Sequence, residues 1–167
     1  LVVIQLQLRR PAGLSEENDL LGLSGEMWKT NGAGGGWSCS ATACAAYAGI
    51  PLTHRDHNAS VTFLTGHRAE DDGLDTIPWE KIAGIGGTLV IYMGFYNLEK
   101  IAKHLVGAGM PASTPVAVIE WGTLPRQRTV TGTLKTIARQ VARAAIAPPA
   151  ILVVGDVVSL RRHLAWF

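Results

Sequence analysis

The stretch Ala45-Ala-Tyr-Ala-Gly-Ile-Pro-Leu-Thr-His-Arg-Asp-His57 is the most informative part of this chain, and the alternating run Ser60-Val-Thr-Phe-Leu-Thr-Gly-His67 follows it. Gly49 and Pro51 end a helix of small residues and begin a turn, because glycine admits backbone angles that other residues avoid and proline cannot continue a helix. Polar and charged side chains then fill the loop ahead of a predicted strand. Since loops at strand ends often carry binding groups, this loop is the first candidate for function.

Helical and extended patterns alternate along the chain from residue 40 onward. Short helices are predicted over residues 40–48 and 79–83, and amphipathic helices over 97–108 and 133–145. Strands are predicted over residues 61–65, 88–93, 115–120, 128–130 and 150–154. Strands that alternate with helices argue for an α/β fold. Residues 113–128 contain a candidate antiparallel return, so we predict a mixed sheet.

Residues 1–36 differ in character from the rest of the chain. They show no sustained period, and they end in the tract Gly32-Ala-Gly-Gly-Gly36, which is typical of a flexible linker. We therefore predict an atypical, poorly ordered N-terminal segment over residues 1–36 and an α/β domain over residues 37–167.

Composition excludes several classes of protein. The formal net charge of +2 is too close to neutral to argue for a nucleic-acid partner, and the 47% of hydrophobic residues are typical of a chain that forms a core. No apolar run reaches the roughly 18 residues of a membrane span. Cys39 and Cys44 fall in a predicted helical segment where their side chains would not face each other. This spacing argues against a disulfide and for reduced thiols in the cytoplasm.

Six blocks of sequence, in order, resemble the S-adenosylmethionine-dependent tetrapyrrole methyltransferases. After residues 50–56, the blocks are Thr88-Leu-Val-Ile-Tyr-Met-Gly94, Pro115-Val-Ala-Val-Ile-Glu-Trp-Gly-Thr123, Gln127-Arg-Thr-Val-Thr-Gly-Thr-Leu134, Pro149-Ala-Ile-Leu-Val-Val-Gly155 and the tail over residues 157–167. The resemblance implies the C-terminal domain of that fold, S-adenosylmethionine as methyl donor, a tetrapyrrole substrate and a homodimer. Within this resemblance, the sequence of residues 50–56 favours C-methylation of uroporphyrinogen III to precorrin-2, for the biosynthesis of sirohaem or cobalamin.

The resemblance also implies a set of cofactor-binding residues. Met93 would lie against the folded cofactor, where a soft thioether fits well, and Gly122 would let the backbone approach it with Thr123 alongside. Cys39 and Ser40 stand where the family has a threonine and a following residue that contact the cofactor. The alternatives are a core methionine at Met93 and a local need for an unusual backbone angle at Gly122.

Arg55 is the candidate for substrate binding, because a guanidinium binds carboxylates bidentately and the implied substrate carries many of them. The alternative is a structural pair of Arg55 with Asp56 or Asp71. Arg126 and Arg128 are interpreted as members of a solvated surface loop. His54 and His57 could share a metal ion, but no further ligand stands at suitable spacing, so we predict no metal.

The sequence departs from the family upstream of Cys39. The family's Gly-x-Gly-Pro-Gly-Asp and Arg-Leu-Lys-Gly-Gly-Asp-Pro segments do not occur in residues 1–36. We therefore expect a fragment, or a frameshifted or mis-joined N-terminal segment. Two alternatives to the first function remain: another precorrin methyltransferase, and a catalytically inactive fragment that serves only packing or dimerisation. The sequence identifies no general base.

Overall fold

The computed structural model describes residues 40–66 and 74–167. These residues belong to one compact unit that extends from Cys39 to Phe167. The predicted N-terminal segment over residues 1–36, and the predicted boundary after it, lie outside the described residues.

Helices and strands alternate through the described residues. The helices are α1 (Ala41–Tyr47), α2 (Trp79–Ile85), α3 (Leu98–Gly107), α4 (Ile137–Arg143) and α5 (Arg161–Leu164), with short 3₁₀ helices at Leu74–Thr76 and Asp156–Leu160. The strands are β1 (Val61–Thr65), β2 (Thr88–Tyr92), β3 (Pro115–Glu120), β4 (Arg128–Thr133) and β5 (Ala150–Val154).

The five strands form one sheet in the order β1-β2-β5-β3-β4. Strands β1 and β2 are parallel, whereas β5 is antiparallel to both of its neighbours and β4 is antiparallel to β3. The prediction of a mixed sheet is therefore confirmed, and the antiparallel return is the β3–β4 hairpin. Because β5 runs antiparallel between β2 and β3, the strands β1, β2 and β3 all end at the same edge of the sheet.

Both faces of the central strands β2, β5 and β3 are buried, which explains why these strands are almost continuously apolar. One face carries Ile91, Val118 and Leu152, and it packs against α2, α3 and α4. The other face carries Val90 and Ile119 and packs against α1 and the second 3₁₀ helix. The described residues thus form an α/β structure, as predicted, and they do so in three layers.

The predicted bounds of β4 and α4 were wrong where the two elements meet, and local hydrogen bonds explain why. The predicted helix over residues 133–145 begins only at Ile137, because β4 continues to Thr133. The backbone N–H of Thr133 then donates to Oγ1 of Thr136 over 3.0 Å, which closes a turn between strand and helix. The helix is amphipathic, as predicted, because Ile137 and Val141 are buried while Arg139 and Arg143 are exposed.

The thiol prediction was wrong for Cys44, which is disulfide-bonded. The prediction assumed that one helix includes both cysteines of the chain. Helix α1 begins only at Ala41, after Ser40, whose backbone is extended at φ −56° and ψ 124°. Helical spacing therefore applies only from Ala41 onward, and Cys39 lies outside the described residues.

The C-terminal tail lies against the end of α1. The indole N–H of Trp166 donates to the carbonyl of Ala46 over 3.1 Å, and the Tyr47 ring contacts the Trp166 ring at a centroid distance of 5.0 Å. Gly49 sits beneath the tail at φ +68°, and a Cβ there would come within 2.6 Å of the backbone of Leu164. Glycine is therefore required for this contact. Within residues 40–66 and 74–167, the helices are too short or too polar to cross a membrane.

Candidate functional site

Unusual backbone angles gather where strands β2 and β3 end. Met93 follows β2 with φ +52°, and Trp121 and Thr123 follow β3 with φ +48° and +69°. Residues with a Cβ rarely adopt these left-handed angles, and such residues are enriched at ligand sites. We call this region the carboxyl edge: Met93, the residues 121–123 and the first turn of α1.

Helix α1 joins the two strand ends. The backbone N–H of Ala41 donates to Oη of Tyr92, the last residue of β2, over 2.9 Å. A Cβ on Gly122 would lie 2.7 Å from Cβ of Cys44 and 3.2 Å from its Cα. The first turn of α1 thus contacts the ends of both strands. The structure therefore brings Ser40, Met93 and Gly122 to one edge, while Cys39 lies outside the described residues.

The two alternatives for the predicted cofactor residues have different outcomes. Met93 is 59% exposed, which excludes a core methionine. Gly122 is buried, and its own φ is not left-handed; the unusual angles fall on its neighbours Trp121 and Thr123. The glycine is needed because Cys44 occupies the space that a Cβ would take.

A buried carboxylate supports the carboxyl edge from below. Glu120, only 4% exposed, accepts hydrogen bonds from Nε of Arg128 at 2.5 Å and from the backbone N–H of Ala147 at 2.9 Å. The Arg128 guanidinium also donates to the carbonyls of Ala144 and Ala145. Burial raises the pKa of Glu120, but the hydrogen bonds and the positive charges of Arg128 and Arg126 outweigh it, so the pKa is lowered.

Sequence reasoning missed the role of Glu120 and was wrong about Arg128, which is not a merely solvated residue. The signal was present: a glutamate closes an apolar strand, and an arginine stands eight residues later, at the start of the returning strand. In the antiparallel register Glu120 and Arg128 are direct partners. Arg126 is exposed, yet its guanidinium stacks 3.6 Å above the Trp121 ring.

The polar loop over residues 53–58 lies at the other edge of the sheet. The Asn58 amide donates to the carbonyls of Leu52 and Ser60 and to Oγ1 of Thr88, at 2.8–3.0 Å, and its Oδ1 accepts from the backbone N–H of His54. Thr88 begins β2, so this loop is at the amino edge. The two edges are separated by a five-residue strand, roughly 13 Å or more.

Arg55 is an exposed residue in the turn of this loop. The structure does not bring it to Met93 and Gly122. Within residues 40–66 and 74–167 it forms no ion pair, so the predicted alternative of a pair with Asp56 is wrong, and Asp71 lies outside the described residues.

The two histidines of the loop are held by local contacts. The backbone N–H of Asp56 donates to Nδ1 of His54 over 3.2 Å, and the rings of His54 and His57 are 5.1 Å apart between centroids. In the part of the chain that the structure describes, no group of three or more His, Cys, Asp or Glu side chains is arranged to hold a metal ion.

Comparison with known families agrees with this architecture. Residues 39–138 match the model of the Tetrapyrrole (Corrin/Porphyrin) Methylases, and these residues make up more than half of the chain. The chain belongs to this family of methyltransferases.

Within the family, the chain is similar to siroheme synthases. This chain and the siroheme synthase of Ectopseudomonas mendocina are 48% identical over 128 residues; the alignment covers 77% of this chain and 27% of the relative. This chain and the siroheme synthase of Gluconobacter oxydans are 52% identical over 122 residues; the alignment covers 73% of this chain and 26% of the relative. The chain therefore spans about a quarter of the length of these relatives.

Solved structures give the same fold. Uroporphyrin III C-methyl transferase from Thermus thermophilus matches with a TM-score of 0.59 and 28% identity, over 70% of this chain and 48% of that one. A second structure of the Thermus thermophilus enzyme, complexed with S-adenosyl homocysteine, matches with a TM-score of 0.58 and 28% identity. The match covers 70% of this chain and 50% of that one. A cobalt precorrin-4 methyltransferase has a TM-score of 0.63 at 24% identity, over 73% and 51%, which supports the fold alone.

Proposed function

We propose that this chain carries the C-terminal part of an enzyme that transfers methyl groups from S-adenosylmethionine to carbon atoms of uroporphyrinogen III, giving precorrin-2. The main support is the gathering of Ser40, Met93 and Gly122 around the first turn of α1. The likeness to uroporphyrin III C-methyl transferase, at 28% identity, supports the choice of substrate. The proposal includes a homodimer, with which the exposed apolar tail over residues 164–167 is compatible. It also includes a cytoplasmic location, which rests on the family resemblance because the disulfide at Cys44 removes the argument from reduced thiols.

The residues at the carboxyl edge fit a cofactor of this kind. The Met93 thioether is open to a ligand, and a polarizable sulfur suits contact with a folded adenosyl group. S-adenosylmethionine, when bound, supplies a methyl group on a positively charged sulfur. We assign direct contact to Met93, Thr123 and Ser40. Cys39 lies outside the described residues, so its predicted role rests on the family resemblance alone.

Gly122 has a different part in the proposal. The Cys44 side chain occupies the space where a Cβ of Gly122 would lie. Gly122 therefore allows close packing against α1 and does not leave space for a ligand on that side. Because the reaction needs a pyrrole carbon aligned with the methyl group, accurate placement of the cofactor supplies much of the rate. The residues of the edge bind and orient; we assign no acid or base among them.

Arg55 remains a predicted substrate residue. Its exposure at the amino edge leaves its guanidinium available to a carboxylate, but at a site separate from Met93. A role in substrate binding therefore requires that the tetrapyrrole, or a partner protomer, reach the amino edge.

Calorimetric titration of the folded chain with S-adenosyl homocysteine tests the proposal. We expect binding, and we expect Met93→Ala to weaken it at least fivefold, or by about 1 kcal/mol. The matched control is Ile85→Ala, since Ile85 is 60% exposed but lies at the end of α2, among the helices of the opposite face. Equal affinity of the two variants would contradict the assignment of Met93.

Two alternatives have their own outcomes in the same set of measurements. A folded chain that binds no S-adenosyl homocysteine favours the inactive fragment, an alternative supported by the 27% coverage of the relatives. Methyl transfer to a later precorrin, but not to uroporphyrinogen III, would favour another precorrin methyltransferase.

A further inference from the structure

Tyr92 provides a direct connection between helix α1 and the end of strand β2. It is the last residue of β2, and its Oη accepts the backbone N–H of Ala41, 51 positions earlier in the chain. The N–H groups of a first helical turn have no partner within the helix, so each needs one from elsewhere. At Ala41 that partner is the tyrosine hydroxyl.

The Tyr92 ring is held on both of its sides. It packs against the apolar cluster beneath α1, and the Phe63 ring from β1 stacks on it at a centroid distance of 6.4 Å and an interplanar angle of 25°. A tyrosine has only two side-chain torsions, so a ring fixed in this way also fixes its hydroxyl. The hydroxyl is thus held at a fixed position where it accepts the N–H of Ala41 in the first turn of α1.

This hydrogen bond connects two of the proposed cofactor contacts. Ser40 directly precedes Ala41, and Met93 directly follows Tyr92, where the backbone turns at φ +52°. Further along α1, Cys44 fits against Gly122. A shift of the first turn would therefore move Ser40 relative to Met93.

We propose that Tyr92 is a positioning residue of the S-adenosylmethionine site. Its hydroxyl holds the first turn of α1 at the separation from Met93 that the cofactor requires. The inference rests on the proposed function, and it assigns Tyr92 an effect exerted through Ser40 and Met93.

The test is Tyr92→Phe in the full chain, which removes the hydroxyl and keeps the ring stacked on Phe63. We expect the dissociation constant for S-adenosyl homocysteine to rise about tenfold, the scale of one well-placed hydrogen bond. We also expect faster hydrogen exchange at the Ala41 amide. In an assay with uroporphyrinogen III, the KM for S-adenosylmethionine should rise while the KM for the tetrapyrrole stays unchanged.

Two matched variants separate positioning from general stability. Trp79→Phe removes a buried hydrogen bond of 2.7 Å, from the indole N–H to the carbonyl of Leu74, on the opposite face of the sheet. Tyr96→Phe removes a hydroxyl that is four residues further along the chain, on a side chain that is 86% exposed. Both should bind S-adenosyl homocysteine like the wild type.

The inference is overturned if Tyr92→Phe binds as tightly as the wild type, or loses no more affinity than Trp79→Phe. It is also overturned if Ala41 exchanges faster with no loss of affinity, because the hydrogen bond is then only structural. Failure of the proposed function is visible separately, since the wild-type chain itself would not bind; the inference then falls with it.

Discussion

The amino and carboxyl edges of the sheet use their residues in opposite ways. At the amino edge, a loop rich in His, Arg and Asp is closed by the side chain of one residue, Asn58. At the carboxyl edge, the side chains are ordinary but the backbone is strained at Met93, Trp121 and Thr123. The comparison teaches that chemical variety and backbone strain can lie at opposite edges of one sheet. We base the proposed ligand site on the carboxyl edge because strained backbone and the convergence of several elements coincide there.

The largest effect is expected where the carboxyl edge is supported by Glu120. Glu120→Ala should lower the free energy of unfolding by about 2–3 kcal/mol, because it removes the buried carboxylate that accepts hydrogen bonds from the Ala147 N–H and from Nε of Arg128. Urea denaturation measures the change. Glu99→Ala is the control: its ion pair with Lys103 is exposed, and stability should not change measurably. Equal losses in the two variants would show that Glu120 does not support this edge.

The fit between Gly122 and α1 gives the next effect. Gly122→Ala should cost about 2 kcal/mol, because the new Cβ overlaps the Cys44 side chain and strains the helix. Gly84→Ala is the matched control within α2, where no atom lies within 4 Å of the new Cβ. It should raise stability by about 0.5–1 kcal/mol through helix propensity. A neutral Gly122→Ala would mean that α1 does not approach β3 as described.

The amino edge can be tested with a change of one functional group. Asn58→Asp keeps the oxygen that accepts the His54 N–H but removes the amide that donates to Leu52, Ser60 and Thr88. We expect a loss of about 1.5 kcal/mol in thermal or urea denaturation. The exposed neighbour Asp56, changed to Asn, should leave stability nearly unaltered. If both changes are neutral, the loop is not closed by Asn58.

Acid should weaken the carboxyl edge selectively. The pKa of Glu120 is lowered from the ordinary value of 4.5 on folding, so its contribution is complete above that value and is lost as the pH falls through the folded-state pKa. Urea denaturation of the wild type and of Glu120→Gln between pH 7 and pH 3 should show a stability difference that shrinks below pH 4.5. A difference that is constant over this range would contradict the assignment.

The smallest effect is expected at Arg55. Arg55→Ala should leave the affinity for S-adenosyl homocysteine within about twofold, because Arg55 lies at the edge opposite to Met93. Calorimetric titration beside Met93→Ala gives the comparison. A comparable loss in both variants would place the two residues in one site. A loss of turnover with uroporphyrinogen III at unchanged cofactor affinity would support the predicted role of Arg55 in substrate binding.

Local patterns were sufficient to predict most of the secondary structure. The bounds of β1, β3 and β5 were predicted correctly, since apolar runs between turn residues determine them. Helix α4 was drawn four residues too long at its start, because Thr133 and Thr136 form a turn through a side-chain hydrogen bond that periodicity does not reveal. The mixed sheet was predicted, but the placement of β5 depends on pairing between distant residues.

The candidate site was accessible from the sequence only in part. Family resemblance pointed to Met93 and Gly122, which the structure brings near one another through α1. The supporting contacts of Glu120 and Tyr92 were not predicted, because both depend on partners distant in sequence or across a hairpin. The prediction of a free thiol at Cys44 was wrong. It assumed helical spacing from residue 40 and earlier, whereas α1 begins only at Ala41.

The strand order has a consequence for how this chain acquires its structure during synthesis. The central strand, β5, is the last of the five described strands to leave the ribosome, so β2 and β3 have no common neighbour until residues 150–154 are made. The 29 residues between the end of β3 and the start of β5 take roughly 1.5–6 s at about 5–20 residues per second. During that interval the nascent chain can form the parallel β1–β2 pair and, once residue 133 is made, the β3–β4 hairpin, each with an open apolar edge that is prone to aggregation. Any truncation upstream of residue 150 would make that transient state permanent.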